Sequence, residues 1–241
     1  MKKQEFLQGV KDGVPIALGY FSVSMAFGLT VALSGLPIWS AVLISMTNLT
    51  SAGQFAGVNI LLVLGALTEL ALTTLIINLR YFLMSLSLSQ RVDEKMSIWK
   101  RMIFSFAITD EVFAVSIKHK GTITSAYMAG LVLTPPIGWT LGTLTGAVLT
   151  SFMPPVLSSS MGIALYAMFI AIVIPPAREN KNVMITSVMA VLMSVIFYYA
   201  PMLKSISSGW SIIIITLTVS AAAAFLFPIT ETKQSEPAQN G

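Results

Sequence analysis

Two adjacent carboxylic acids, Asp110 and Glu111, stand in an otherwise largely apolar part of the sequence. Carboxylates within an apolar membrane segment are costly unless they are paired, hydrated or protonated, so such residues are functional candidates. A carboxylic acid withdrawn from water can take up and release a proton near neutral pH. We therefore predict that Asp110 or Glu111 takes up and releases a proton, as in proton-coupled transporters. The alternative is that both acids lie at a wet membrane edge or pair with Arg80.

Arg80 is the cationic residue that could complement these acids. It lies in Asn78-Leu79-Arg80-Tyr81, about three turns before the end of the helix that we predict over 67–89. The planar guanidinium matches a carboxylate, so Arg80 can bind a substrate carboxylate or pair with Asp110 or Glu111. The alternative is that its side chain extends to the membrane surface.

The apolar stretch 38–65 is interrupted at 47–54 by hydroxyl, amide and glycine residues. A break in a membrane helix exposes backbone amides and carbonyls, which transporters use to hold the charged ends of small solutes. The residues that we predict to bind substrate in this break are Asn48, Ser51, Gly53 and Gln54. Close helix packing through small residues is the alternative explanation.

Three glycines, Gly138, Gly142 and Gly146, recur at every fourth position after Pro135-Pro136. Small residues at this spacing leave a flat helix face, so we predict that the three glycines pack against another helix. Contact with substrate is the alternative. The two prolines predict a split in the apolar stretch 122–150.

The elements that position these residues are membrane helices. Of the 241 residues, 55% are hydrophobic and 10% are charged, whereas a soluble domain carries about a quarter charged residues. Several stretches are long enough to cross about 30 Å of hydrocarbon as a helix. The six full spans that we predict are 14–34, 67–89, 122–150, 161–177, 183–200 and 211–228. The predicted fold class is an all-α, polytopic membrane bundle.

Basic loops orient the bundle. Lysines and arginines near 1–13 and 90–101 should lie in the cytoplasm, together with both termini. This orientation requires that 38–65 and 102–117 each enter and return on one side, and these two segments also carry polar centres. We predict a cytoplasmic segment 1–13, a membrane domain 14–228 and a polar tail 229–241, with Asp12 as the N-cap of the first span.

Composition argues against several classes of function. The chain has no cysteine and a single histidine, His119, between two lysines, so we expect no thiolate chemistry and no metal site. A phosphate-binding glycine-rich loop that ends in Lys-Ser or Lys-Thr is absent from the sequence. We predict a protein that is not an enzyme, needs no cofactor and does not bind nucleic acid.

Several motifs follow one another in an order that resembles the AzlC-like branched-chain amino acid permeases. They are Asp12-Gly13-Val14-Pro15-Ile16, Gly19-Tyr20, Ala26-Phe27-Gly28, Ser51-Ala52-Gly53-Gln54-Phe55, Asn78-Leu79-Arg80-Tyr81, Thr109-Asp110-Glu111-Val112-Phe113-Ala114 and Gly138-Trp139 with Gly142-Thr143. The resemblance covers about 8–175, and many relatives have Gly-Ala-Ser-Gln where 51–54 stand here. It implies the large subunit of an exporter of branched-chain amino acids in the bacterial cytoplasmic membrane, driven by the proton gradient and paired with a small AzlD-like membrane subunit.

The combined hypothesis is a secondary amino-acid exporter. The two broken segments would form a site at mid-membrane, and the aliphatic side chain of the substrate would rest on Phe27 and Phe55. The alternative hypothesis is a non-transporting scaffold or assembly subunit of another transport complex.

Overall fold

The computed structural model describes residues 2–150, 152, 170, 173–203 and 205–228. Within these residues the chain is helical, with a 3₁₀ turn at Pro201–Leu203 and no β-strand. The helices are α1 (Lys2–Leu33), α2 (Ile38–Thr47), α3 (Ala52–Leu62), α4 (Leu67–Ser89), α5 (Ile98–Ser105), α6 (Asp110–Lys118), α7 (Ser125–Thr150), α8 (Lys181–Tyr199) and α9 (Ser208–Leu226). Residues 173–179 are also helical. The predicted all-α class is confirmed.

Five of the helices in the described part of the chain, α1, α4, α7, α8 and α9, are long and apolar enough to cross a membrane. They correspond to five of the six predicted full spans. The sixth, 161–177, lies mostly outside the described residues, and so does the predicted tail 229–241. The remaining apolar helices, α2 and α3, are each too short to span a bilayer alone.

Two expectations about proline and capping were wrong. The first helix begins at Lys2, so Asp12 lies inside it and is no N-cap. Its carboxylate instead accepts hydrogen bonds from the Tyr127 hydroxyl, at 2.9 Å, and from the Gln8 amide, at 2.7 Å. The helix α7 runs without interruption through Pro135-Pro136. Packing against a neighbouring helix stabilises membrane helices in which proline removes a backbone hydrogen bond.

The helices α1 and α7 pack along their lengths and run in the same direction. Gly9 near the start of α1 lies against Tyr127 near the start of α7, and Gly28 lies against Thr143 and Ala147. A methyl group added at Gly138, Gly142 or Gly146 would overlap, respectively, the carbonyl oxygens of Ala17, Phe21 and Met25. The glycine face of α7 therefore brings the two backbones into direct contact.

The start of α1 and the end of α4 lie at the same end of the bundle. Lys2 shares a surface depression there with Lys95, Lys100 and Ser125. Just after α4, Asp93 donates its backbone N–H to the carbonyl of Ile123, at 3.0 Å, and Ile123 lies two residues before the start of α7. We call this the basic end and the other the opposite end. Helix α4 thus runs antiparallel to α1 and α7.

The segments α2 and α3 form a first hairpin that enters from the opposite end. Its tip is 48–51, and α3 folds back beside α2, since Gln54 donates its amide N–H to the Ser45 hydroxyl at 3.2 Å. Val58 and Ala41 belong to one buried cluster. The predicted interruption at 47–54 is confirmed.

The segments α5 and α6 form a second hairpin that enters from the basic end, with its tip at 106–109. Contacts at the two ends of α6 show that it runs from the interior of the bundle back to the basic end. Asp110 at its start pairs with Arg80 well inside α4. At the other end, the guanidinium of Arg91 just after α4 donates to the carbonyls of Ile117, at 2.7 Å, and His119, at 3.1 Å.

A buried carboxylate attaches α9 to the body of the bundle. Glu69 in the first turn of α4 is 5% exposed and accepts hydrogen bonds from the Ser207 hydroxyl and from the backbone N–H of Gly209, the latter at 2.9 Å. An anion at a helix N-terminus complements the unpaired N–H groups and the helix dipole. Glu69 therefore complements the dipole of α9, and it also stands in the first turn of its own helix.

Candidate functional site

The tips of the two hairpins meet at one cavity of about 190 Å³. Its lining comes from residues 47–50 of the first hairpin, from Ser105, Phe106, Ile108 and Thr109 of the second hairpin, and from Tyr81 of α4. Tyr81 lies about 12 Å from the end of α4 and about 21 Å from its start, at 1.5 Å per residue. The cavity is therefore at membrane depth, and it has room for a small solute.

The first hairpin exposes irregular backbone at the cavity. Asn48 turns the chain by accepting the backbone N–H of Thr50, at 3.0 Å. Ser51 follows with φ 44° and ψ −87°, and its side chain makes no capping bond to α3. A non-glycine residue in such a conformation costs about 1–3 kcal/mol and persists only when its surroundings hold it. The start of α3 carries no acidic residue, so its positive end is uncompensated.

The second hairpin presents a helix start of a different kind. Thr109 caps α6 by accepting the backbone N–H of Val112, at 3.4 Å, and the two acids Asp110 and Glu111 occupy the first turn. Negative side chains at this position complement the dipole of α6. The two helix starts that face the cavity therefore differ: α6 carries its own anions and α3 has none.

Asp110 forms an ion pair with Arg80, with 2.8 Å between Oδ2 and Nη1. The side chains are 46% and 49% exposed on the surface of the chain. Arg80 also donates from Nη2 to the hydroxyl of Tyr81, at 3.1 Å, and so connects the ion pair to the cavity lining. The sequence left open whether Arg80 binds substrate, pairs with an acid or extends to the membrane surface. In the structure it pairs with Asp110.

Glu111 has a separate partner, because it accepts a hydrogen bond from the hydroxyl of Tyr20 on α1. The ring of Tyr20 is buried and meets Trp139 of α7 edge to face, at 5.3 Å between ring centroids. Two acids that are adjacent in sequence thus bind different helices. Asp110 attaches the second hairpin to α4, and Glu111 attaches it to α1.

Behind the tip of the first hairpin lies a group of buried polar side chains. Gln54 is 1% exposed and bonds to Ser45, whose hydroxyl lies 2.7 Å from the hydroxyl of Thr143 on α7. Among the described residues, the Oε1 of Gln54, the Oγ1 of Thr50 and the Oδ1 of Asn78 have no hydrogen-bond partner. Buried acceptors of this kind are expected to take a donor from water or a solute.

Gly53 leaves the space between two of these groups. A methyl group at this position would overlap Thr50 Oγ1 and lie 3.6 Å from Nδ2 of Asn78. Larger residues at position 53 would therefore displace polar side chains that flank the hairpin tip.

The aromatic pair Phe27 and Phe55 lies beside the polar group. The two rings meet edge to face, at 5.2 Å between centroids, in a buried cluster with Val31, Ala41 and Val58. Neither ring belongs to the lining of the cavity. The pair supports the first hairpin from the side of α1.

The structure places the predicted binding residues at different distances from the cavity. Asn48 lines it, Ser51 and Gly53 follow directly in the tip and the first turn of α3, and Gln54 faces away toward Ser45. Sequence reasoning placed Tyr20, Asn78, Tyr81 and Thr109 in motifs but assigned none of them to the site. Tyr81 and Asn78 flank Arg80 in the motif Asn78-Leu79-Arg80-Tyr81, and Thr109 directly precedes Asp110, so adjacency to the charged residues was the available signal.

No group of three or more histidine, aspartate or glutamate side chains that could hold a metal ion occurs in the part of the chain that the structure describes. The polar chemistry of the cavity is that of hydroxyls, amides, open helix ends and one adjoining ion pair.

These features define a polytopic helical membrane protein with two opposed hairpins at its centre. The chain belongs to the AzlC family: the family model described as AzlC protein matches residues 15–153, which is more than half of the chain. Membership in this family supports a transport role in a membrane.

Similar proteins come from bacteria and an archaeon. The chain is 26% identical to the inner membrane protein YgaZ of Escherichia coli (strain K12) over 189 residues, which cover 76% of this chain and 77% of that protein. It is 27% identical to an uncharacterized membrane protein of Helicobacter pylori (strain J99) over 185 residues, 74% of this chain and 80% of that one. An uncharacterized membrane protein of Archaeoglobus fulgidus is 27% identical over 176 residues, 72% and 77% of the two chains. No solved structure matches.

Proposed function

We propose that this protein is a secondary transporter that exports branched-chain or similar small neutral amino acids. The observation that carries the proposal is the cavity at membrane depth where the tips of two hairpins from opposite ends of the bundle meet. Irregular backbone at membrane depth is tolerated only when protein buries it or when it lines a watery cavity. Broken helices of this kind form the solute sites of secondary transporters.

The ends of an amino acid match the groups around the cavity. The uncompensated start of α3 suits a carboxylate. Thr50 lines the cavity and its Oγ1 atom lacks a partner, so it suits an ammonium group, and the acceptors of Gln54 and Asn78 that lack partners lie behind the tip. Arg80 is already neutralised by Asp110, so a substrate carboxylate would reach Arg80 only by displacing that acid.

An aliphatic side chain would find apolar neighbours in the same cavity. Leu49, Phe106 and Ile108 belong to its lining. The buried pair Phe27 and Phe55 lies next to the first hairpin and becomes part of the contact surface only if that hairpin moves. Substrate selection among neutral amino acids would therefore depend on the size of this apolar wall.

Asp110 and Glu111 are the groups that we propose to carry the coupling proton. Glu111 is the better placed of the two, because its hydrogen-bond partner Tyr20 is a neutral hydroxyl and Asp110 is held by a cation. Protonation of Asp110 would also break its ion pair with Arg80 and leave a cation without a partner, which is costly at membrane depth.

The half-exposed ion pair is also a reason to expect a partner subunit. A charged pair at membrane depth is stable when protein or water covers it, and unfavourable when it faces lipid. A small AzlD-like membrane subunit that packs over Arg80 and Asp110 would provide such cover. We therefore propose that the exporter works as a complex of this chain with that subunit, in the bacterial cytoplasmic membrane with the basic end inside.

Efflux of amino acids tests the proposal. Cells that contain the chain and its small partner are loaded with leucine-, valine- or isoleucine-containing dipeptides, and the release of each amino acid is followed. We expect faster release than from cells without the chain, and loss of that difference with Arg80→Gln. The matched control is Arg178→Gln. Arg178 is an exposed arginine in the helical residues 173–179, and its substitution should keep full efflux. Unchanged efflux of every amino acid would contradict the proposal.

A scaffold subunit is the second candidate, and the same half-exposed pair favours it. In that case Arg80→Gln would reduce the recovery of the partner with this chain, and purified chain in vesicles would move no amino acid. Transport by the purified two-subunit complex would exclude a purely structural role.

A further inference from the structure

The first six helices form two units with the same element order and opposite direction. Helix α1 ends at the opposite end of the bundle, and the first hairpin enters from there. Helix α4 ends at the basic end, and the second hairpin enters from that side. Each unit is thus one spanning helix followed by one hairpin. Inverted units of this kind build many transporters that alternate between two open states.

The returning arms of the hairpins also share a short sequence pattern. Each begins after a hydroxyl residue, Ser51 or Thr109, and each has a phenylalanine four positions later, Phe55 or Phe113. Phe55 packs in the apolar cluster with Phe27 of α1, and Phe113 packs against the larger buried cluster of the bundle. The two hairpins are therefore built alike at the cavity and supported by different clusters.

Polar side-chain links join each hairpin to neighbouring helices in the described part of the chain. Ser45 joins the first hairpin to Thr143 of α7. Asp110 joins the second hairpin to α4, and Glu111 joins it to α1. Links between side chains can break and form again while both helices of a hairpin stay intact, so each hairpin can move as a rigid element. The backbone of Ser51, at φ 44°, adds a strained position at the tip of the first hairpin.

We propose that the two hairpins are separate gates that open in alternation around the shared cavity. Movement of the first hairpin away from α7 opens the cavity to the opposite end. Movement of the second hairpin away from α1 and α4 opens it to the basic end, and requires that Glu111 leave Tyr20 and Asp110 leave Arg80. This inference rests on the proposed transport function and adds the parts that move.

Single cysteines at the tips test the two gates, because the natural chain has no cysteine. Asn48→Cys and Thr109→Cys are introduced separately into the complex in sealed vesicles of each orientation. A membrane-impermeant maleimide is added from outside, with and without an imposed proton gradient. We expect both tips to react from both sides, and the gradient to change the two rates in opposite directions. Ser40→Cys near the opposite end and Glu94→Cys at the basic end are controls that should each react from one side.

Linking the tips tests whether both must move. A cleavable bifunctional thiol reagent is applied to the double variant Asn48→Cys/Thr109→Cys, and to Thr47→Cys/Ser105→Cys as a second pair around the same cavity. Because these residues line the cavity, the efflux of each unlinked double variant is the reference for that pair, and we expect linking to lower efflux below this reference and cleavage to restore it. Full efflux with linked tips, or tips that react from one side only in every condition, would overturn the two gates.

The labelling and efflux measurements separate this inference from the proposed function. Alternating reactivity of the cysteine variants, without efflux of any tested amino acid by the natural chain, would support the gates and contradict the proposed substrate. Normal efflux with one-sided reactivity would support the transporter and contradict the gates.

Discussion

The Oδ2 atom of Asp110 lies 2.8 Å from the Nη1 atom of Arg80 and joins the tip of the second hairpin to the interior of α4. The next residue, Glu111, bonds instead to the hydroxyl of Tyr20 on α1. One helical turn thus spans the gap between two membrane helices, and it does so beside the cavity.

Neutralising either member of the ion pair should destabilise the protein more than neutralising both. Arg80→Gln or Asp110→Asn leaves an unpaired charge at membrane depth, and we expect a loss of about 1–3 kcal/mol, below the value for a fully buried pair because both side chains are half exposed. The double variant should recover part of the loss. Thermal unfolding in detergent measures the difference. Equal midpoints for the singles and the double would contradict the pairing.

Removal of the Tyr20 hydroxyl should affect transport more than stability. Tyr20→Phe keeps the ring contact with Trp139 and removes the hydrogen bond to Glu111. We expect a change in folding free energy of about 1 kcal/mol or less, with a clear change in the rate of amino-acid efflux. Trp139→Phe, which alters the ring contact and leaves the hydroxyl, is the comparison. An efflux rate equal to that of the natural chain would contradict a role for the Tyr20–Glu111 link.

Alanine should be poorly tolerated at Gly142 and well tolerated at Gly19. A methyl group at position 142 would overlap the carbonyl of Phe21 and the hydroxyl of Ser24, whereas nothing lies within 4 Å of the same point at Gly19. We expect Gly142→Ala to cost about 1–3 kcal/mol through overpacking. Gly19→Ala should be neutral or stabilising by up to about 1 kcal/mol, since alanine favours helix. Thermal midpoints of the two variants provide the measurement, and similar midpoints would argue against direct backbone contact of α1 with α7.

Glycine at position 51 should relieve the strained backbone of the first tip. Ser51 has φ 44° and makes no side-chain capping bond, so Ser51→Gly removes a steric penalty without loss of a cap. We expect a gain of up to about 1 kcal/mol, offset in part by the greater freedom of glycine in the unfolded chain. Ser40→Gly in the first turn of α2 is the control, and there a small loss is expected. A loss at Ser51 as large as that at Ser40 would contradict the strain.

Local features of the sequence were sufficient to predict where the membrane helices α8 and α9 lie. The predicted spans 183–200 and 211–228 agree with α8 and α9 to within about three residues, because length and hydropathy alone decide whether a segment can cross a bilayer. The break at 47–54 was also predictable from local sequence, because its polar side chains are adjacent in the chain. Local rules failed at Asp12 and at Pro135-Pro136, where packing of α1 against α7 outweighs capping and proline preferences.

A helical membrane protein with polar groups and charges in two interrupted segments was predictable without coordinates, because these properties depend on residues close together in the chain. The three-dimensional fold was needed to show that Arg80 pairs with Asp110 while Glu111 bonds to Tyr20, and that Gln54 bonds to Ser45 while Tyr81 lines the cavity. These contacts depend on which faces of distant helices pack together. That packing follows from the close approach of α1 to α7 and from the entry of the two hairpins from opposite ends.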